Sequence, residues 1–332
     1  MKNNYLKVLF LLASWLVLVA CFNGNNINQL LYDIGFYNNN DFYNDSDYNE
    51  YDYNNANNGY YNDEYADNEY SDDENYDDGS TEDEYYDEGD GDTVNLVRYS
   101  VQNGALAQPQ YYDLSNNNYA DEQQDSSLHD ELWETAKEVF PDNYETKINQ
   151  VVFCTDGTDN DLASVEPIQE YNTNSWTLYI DVLDGKDTNE YVHTLTHELG
   201  HLITLKADQF SSGSSCSTFE TDYGCFSNNS YVNEFIEQFW PDIMDEWQDI
   251  EYNTTSQDDF DNQIYDFYEK YSDQFVNDYA ATHPEEDFAE TWLYYVFDLT
   301  PDGGSIAKEK ISFFSSYSEL VQIKQQIRNN FR

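Results

Sequence analysis

Basic residues are scarce in this chain. Thirteen Lys and Arg stand against 67 Asp and Glu, giving a formal net charge of −54 over 332 residues. No Lys or Arg occurs between Val8 and Val97. Phosphate recognition needs a basic face, so nucleic acid is excluded as a partner. Aliphatic residues are nearly missing from about Tyr37 to Asp92, where Asn, Asp, Glu and Tyr dominate, as in YNNNDFYNDSDYNEYDYNN. Such a stretch cannot bury a core and its charges repel one another, which predicts an extended, disordered spacer. Its tyrosines allow a second reading, a sticky surface-binding stalk. Cysteine is sparse too, at four residues with no C-x-x-C pair, which excludes a cysteine-built zinc site. No apolar run reaches the roughly 20 residues that a membrane-spanning helix needs.

The amino terminus is a targeting segment. MKNNYLK carries positive charge and VLFLLASWLVLV is a short apolar run. The run ends in Leu18-Val19-Ala20-Cys21. A small residue followed by Cys at that point resembles the lipobox of bacterial lipoproteins. The resemblance implies removal of residues 1–20 and acylation of Cys21. The chain would then be exported and anchored in the lipid bilayer, at the cell surface or on the periplasmic face. Residues 21–92 would hold a folded domain away from the membrane. In an oxidising compartment Cys216 and Cys225, which bracket CSTFETDYGC, could close a small disulfide loop. Cys154 lies in the apolar run VVFC and reads as a buried thiol.

The folded domain is expected over 93–332, with its core from about Ser126. Ser127-Leu-His-Asp130 can cap a helix carrying Leu128, Leu132, Ala136, Val139 and Phe140, which Pro141 ends. Ile148–Cys154 and Trp176–Val182 read as strands. Asp187-Thr-Asn-Glu190 is a second capping signal. Tyr231–Ile250, Asp259–Tyr279, the segment from Pro284 and the tail from Ser305 read as helical. The order predicts an α+β fold, a small sheet ahead of a mainly helical half.

The helix after the second cap contains YVHTLTHELGH. Residues four apart in a helix lie about one turn apart and ~40° around the axis, so two such histidines can share an ion. His193 and His201 are about 12 Å apart along the axis, so the three cannot bind the same one. The pair His193 and His197 would place Thr194 after the first histidine, and Thr194 cannot act as a base. The pair His197 and His201 places Glu198 there, beside a metal and able to take a proton from water. Val192, Leu195, Leu199, Leu202 and Ile203 fall on another side of the helix. His193 is left at the rim or facing solvent. Gly200 weakens a helix, so it requires a reason such as close packing.

His197, Glu198 and His201 form H-E-x-x-H, the signature that this chain shares by resemblance with the zincin metallopeptidases. Thr204 and Ala207 stand where the metzincin subdivision has Gly and a third His, so that subdivision fails. A glutamate ligand remains. Glu234, in VNEFIEQFW, sits in an arrangement similar to that downstream in thermolysin-like enzymes, at different spacing. The segment FVNDYAATHPEEDFAETW resembles a helix of the anthrax-lethal-factor and Pro-Pro endopeptidase group, with Tyr279 seven residues before Glu286 and Glu290 four after it. That resemblance implies Glu286 as the third zinc ligand, Glu290 as a carboxylate behind the ligands, and Tyr279 as a hydroxyl that steadies the transition state. Glu285 is the adjacent register and stays open. Acidic residues after Pro284 also suit any helix amino terminus.

Together these features imply a zinc-dependent metallopeptidase acting on a peptide or protein substrate. Zn²⁺ would be held by His197, His201 and Glu286, with Glu198 as general base and the strand Trp176–Val182 as a sheet edge for an extended peptide. The alternative from a different class is a non-catalytic surface binding or adhesion lipoprotein on the same scaffold.

Overall fold

The computed structural model describes residues 93–332, except 115–117, 158–160, 170–171, 212–215, 222 and 332. The targeting segment, Cys21 and the acidic spacer lie outside the described residues. The described residues belong to one compact unit. Among them, no helix is long and apolar enough to cross a membrane.

The domain opens with a hairpin that the sequence pattern did not suggest, β1 (Val94–Gln102) and β2 (Ala105–Tyr111). Asn103 and Gly104 turn it, both at positive φ. β1 belongs to the core: Leu96 and Val97 are fully buried, and β1 pairs antiparallel with β3 (Ile148–Thr155). The expectation of a core beginning near Ser126 is therefore corrected. Alternation on β1 is blurred because the strand is buried on parts of both faces.

β3 also pairs in parallel with β5 (Trp176–Asp181), and β5 pairs antiparallel with β4 (Ala163–Pro167). The sheet order is β2-β1-β3-β5-β4. The expected strand Trp176–Val182 thus exists but is internal, and β4 forms the sheet edge. Glu166 and Pro167 hid β4 from a propensity reading, yet Pro is at home on an edge strand because it has no N–H to leave unpaired.

Helices supply the rest. α1 (Ala120–Gln124) and α2 (Ser126–Val139) precede the short α3 (Asp142–Glu145). Asp125, rather than Ser127, caps α2 through the Leu128 amide at 3.0 Å. α4 (Thr188–Thr204) carries the histidines and starts at Asp187, whose carboxylate accepts from the Asn189 and Glu190 amides. A two-stranded ribbon, β6 (Glu220–Thr221) and β7 (Gly224–Cys225), follows, tied by the Cys216–Cys225 disulfide. Cys154 is a buried thiol outside the disulfide, and its Sγ donates to the Ile180 carbonyl at 3.5 Å.

Tyr231–Ile250 is not one helix but two, α5 (Tyr231–Phe239) and α6 (Met244–Asn253), broken at Trp240-Pro241. α7 spans Gln257–Tyr271 and stops well short of Tyr279, which lies in a separate 3₁₀ turn. α8 (Pro284–Phe297) begins with Pro at its first turn and with His283 accepting from the Glu285 amide. α9 (Ser305–Phe313) and α10 (Ser318–Asn330) close the domain. This is an α+β architecture, as the element order implied.

α8 is the hub of the helical half. It touches α4 on one side and α5, α9 and α10 on others. Most of its length is buried, including the charged Asp287. The Asp287 carboxylate meets Lys310 Nζ of α9 at 2.6 Å, and both side chains are fully buried. Trp240 Nε1 donates to the same oxygen at 2.8 Å. The ammonium also lies 4.2 Å from the Phe275 ring centre, a favourable cation–π placement in a dry site. Burying two charges yields little net stability, but removing one strands the other. Lys310→Ala is expected to cost about 3–5 kcal/mol. Urea unfolding of the variant checks this; a loss under 1 kcal/mol would contradict it.

Candidate metal centre

Two helices and one strand edge form the site. α4 brings His197 and His201 one turn apart, with Glu198 between α4 and β4. α8 brings Glu286 and Glu290, also one turn apart. The helices approach closely because Gly200 faces Ala289. A Cβ built on Gly200 would lie 2.9 Å from the Ala289 Cα and 3.1 Å from its Cβ. Gly200 therefore has the packing reason that its helix cost demanded.

At this crossing His197 Nε2 lies 3.0 Å from His201 Nε2. Glu286 Oε2 lies 3.1 Å from the first nitrogen and 3.3 Å from the second. The oxygen is buried and makes no aligned hydrogen bond. Without a metal the cluster is an ion pair: burial opposes charge, but Glu286 and Glu290 raise the His197 pKa well above its ordinary value, and Glu286 raises that of His201. Ligands at the usual zinc distances of 2.0–2.1 Å in a tetrahedron are spaced by about 3.3–3.4 Å. The triangle therefore fits a tetrahedral metal with nitrogen and oxygen ligands.

The other ring nitrogen of His197 fixes its role. Nδ1 lies 2.6 Å from Glu290 Oε1. A hydrogen on Nδ1 satisfies this contact, and in the neutral imidazole that tautomer presents the Nε2 lone pair to the triangle. Glu290 is itself held, because Asn277 Nδ2 donates to its Oε2 at 2.7 Å. Asn277 Oδ1 in turn accepts from the Ala280 amide at 2.9 Å, at the turn containing Tyr279. Asn277 was not singled out in the sequence; its position in VNDY, just ahead of Tyr279, carries no residue pattern that would reveal it.

Glu198 is 5 % exposed, and its Oε2 accepts from the Val165 amide of β4 at 3.0 Å. Burial raises its pKa, with the two histidines pulling the other way. Tyr279 sits against the site, with its ring centre 5.8 Å from that of His197. Burial, then the charges of Glu286, Glu198 and Glu290, lift its pKa well above the ordinary value, so it stays a neutral hydroxyl donor. His197, Glu198 and His201 have ligand atoms within 4.8 Å of one another. Glu286 lies 3.1 and 3.3 Å from the two histidine nitrogens and Glu198 Oε2 is taken by Val165, so Glu286 is the better third partner.

The remaining candidates lie elsewhere. Glu234 accepts the Tyr317 hydroxyl in the helical half and does not join the histidines. Glu285 turns toward His283, with 3.6 Å between Oε2 and Nδ1. Of the acidic residues after Pro284, Asp287 turns to Lys310 and Glu286 to the histidines, so helix-end electrostatics does not account for them. His193 is not solvent-facing. Its ring packs 4.6 Å from that of Phe297, and burial lowers its pKa while the charge of Glu290 raises it. This puts it at the rim, without a ligand partner.

No family model matches this chain, and neither a curated protein nor a solved structure matches it.

Gly200→Ala tests the crossing. Alanine gains about 1 kcal/mol of helix propensity, but overpacking against a backbone atom costs about 1–3 kcal/mol. The net is a loss of up to about 2 kcal/mol, together with weaker metal uptake. Thermal unfolding and metal titration check it; a more stable variant with unchanged uptake would contradict it.

Proposed function

We propose that this chain is a zinc-dependent metallopeptidase of zincin type. The observation that carries the reading is the triangle of His197 Nε2, His201 Nε2 and Glu286 Oε2, with 3.0, 3.1 and 3.3 Å edges and a buried carboxylate, Glu198, next to it. His197, His201 and Glu286 would hold Zn²⁺. When bound, the ion supplies Lewis acidity that polarises a carbonyl and lowers the pKa of water to about 7. Glu198 takes the water proton and later delivers it to the leaving amine. Its raised pKa suits both tasks, since a carboxylate that is too acidic is a poor base. Tyr279 donates a hydrogen bond to the developing oxyanion. Glu290 holds the imidazole of His197 in the tautomer that a ligand needs.

The edge strand gives the substrate a place. Ile168 N donates to Ser175 O, and Asp181 N to Leu162 O, so the even-numbered residues of this segment face β5. The backbone groups of Ala163, Val165 and Pro167 therefore turn away from β5, with the Val165 amide already bonded to Glu198 and no amide at Pro167. An extended peptide would run along this edge of β4, rather than along Trp176–Val182, and pass Glu198 where it bonds Val165. The substrate is a peptide or protein. Anchoring to a bilayer through acylated Cys21 remains a proposal from the sequence, tested by whether Cys21→Ala abolishes incorporation of a labelled fatty acid.

Glu198→Gln is expected to keep its zinc and to lose cleavage of a denatured protein mixture by 10³-fold or more, since general-base and polarising roles are lost together. Residual activity near the parent level would overturn the mechanism. Glu286→Ala is expected to lose zinc by elemental analysis, Glu234→Ala to retain it, and Glu290→Gln to bind it about 10–100-fold more weakly. Zinc lost with Glu234→Ala alone would reverse the ligand assignment.

A further inference from the structure

A second group of acidic side chains lies where β3 and β5 end side by side. Asp156 follows β3 directly, Asp181 closes β5, and Asp184 sits three residues on. One ligand atom from each lies within 4.8 Å of the others. We propose that Asp156, Asp181 and Asp184 bind a calcium ion, at a site separate from the histidine centre.

Proximity of acids alone says little, because carboxylates cluster on acidic proteins without ligands. Here the side chains are inside. Asp181 is 1 % exposed and Asp156 8 %. Asp156 Oδ2 accepts the Asp161 amide at 3.0 Å, but its Oδ1 is shut off from water and has no hydrogen-bond partner. A buried carboxylate oxygen without a partner is costly, and more so beside two further carboxylates. The charges acting on Asp156 come from Asp181, Asp161 and Asp184, all of the same sign. Burial comes first among the causes and, with these neighbours, lifts Asp156 to about 7.

The donor set names the ion. It contains oxygen only, with neither imidazole nor thiolate, and so disfavours zinc and favours a hard cation. Calcium binds oxygens at 2.3–2.6 Å, which places oxygens on opposite sides of the ion about 4.6–5.2 Å apart. One oxygen from each aspartate lies within 4.8 Å of the others, so all three can reach an ion of that size. Asp181 is also held rigidly. Its Oδ2 accepts the Asp156 amide at 2.9 Å, and its Oδ1 accepts the Leu183 and Asp184 amides at 2.6 and 3.0 Å. These bonds orient the carboxylate and leave one lone pair, on Oδ2, for a cation. The bound ion would fix the end of β3 at Asp156, whose Oδ2 holds the Asp161 amide.

The test is thermal unfolding of the full chain, freed of divalent ions and supplied with saturating Zn²⁺ in every arm. For a site of about 10⁻⁴ M, typical of extracellular modules, 5 mM Ca²⁺ is expected to raise the Tm by about 5 °C or more. Asp156→Asn keeps the shape and removes the charge. Its Tm without calcium is expected to equal or exceed that of the parent, and its calcium shift to fall below about 1 °C. Ion condensation on the acidic spacer would leave the shift equal in both proteins, and that result overturns the site. So does a parent that shows no shift with 5 mM Ca²⁺. An equal shift with 5 mM Mg²⁺ overturns the assignment to calcium. Should Asp156→Asn fail to fold, the half-buried Asp184→Asn is read in the same way, where an undiminished shift counts against the proposal. Unfolding is read without reference to peptide cleavage, so failure here leaves the peptidase reading standing.

Discussion

The Gly200–Ala289 contact is the constraint on which the site depends. Two helices bring their backbones together only where side chains are absent or very small. Gly200 lies between Glu198 and His201 in sequence, and Ala289 between Glu286 and Glu290. The point of closest approach is therefore flanked by every charged group that meets at the centre. If α8 stood off by the width of a methyl group, Glu286 would no longer lie 3.1 and 3.3 Å from the histidine nitrogens. Helix α8 is fixed in rotation as well as distance. Its Glu286–Glu290 face turns to α4, Asp287 turns to Lys310, and Trp292 packs by Gly200. Rotation by one residue, about 100°, would break all three arrangements at once.

Electrostatics then organises what packing has assembled. Glu290 sets the tautomer of His197, and Asn277 sets Glu290. Glu198 is set by a backbone amide of the sheet edge. Outside the histidines these partners are neutral, an Asn side chain and a backbone amide, so the imidazoles supply the positive charge at the centre in a chain with 13 basic residues in all.

Much of this was legible in the sequence. The cap at Asp187 and the period of Val192, Leu195, Leu199, Leu202 and Ile203 placed α4 and its buried side. Helix geometry excluded three histidines on one ion, Glu198 chose the His197–His201 pair over His193–His197, and the repeat of Glu286 and Glu290 marked a common face. Other parts were hidden for identifiable reasons. β4 is short, carries Glu166 and Pro167, and owes its existence to pairing with β5. The β1–β2 hairpin is stabilised by β3, more than 45 residues away in sequence, so local propensity understates it. Trp240-Pro241 broke a helix that periodicity had continued. Asn277 and Val165 act through one amide group each, and no spacing rule identifies such contacts. The contribution of Asp287 was masked by its setting, since an acid after a helix-starting Pro has a ready local explanation.

The separation of His201 from Glu286, about 85 residues, has a kinetic side. Closing a loop of that length is entropically costly before the contacts that reward it exist. The histidine pair needs α4 alone, whereas the triangle needs α8 docked, with the intervening α5–α7 segment already out of the way. A nascent or partly unfolded chain can therefore offer two imidazoles but no third ligand. Tight three-coordinate capture of a metal would report that the whole helical half has closed. The centre would act as a lock set last, and loss of its ion would be felt first as a loosening of α8 rather than of the sheet.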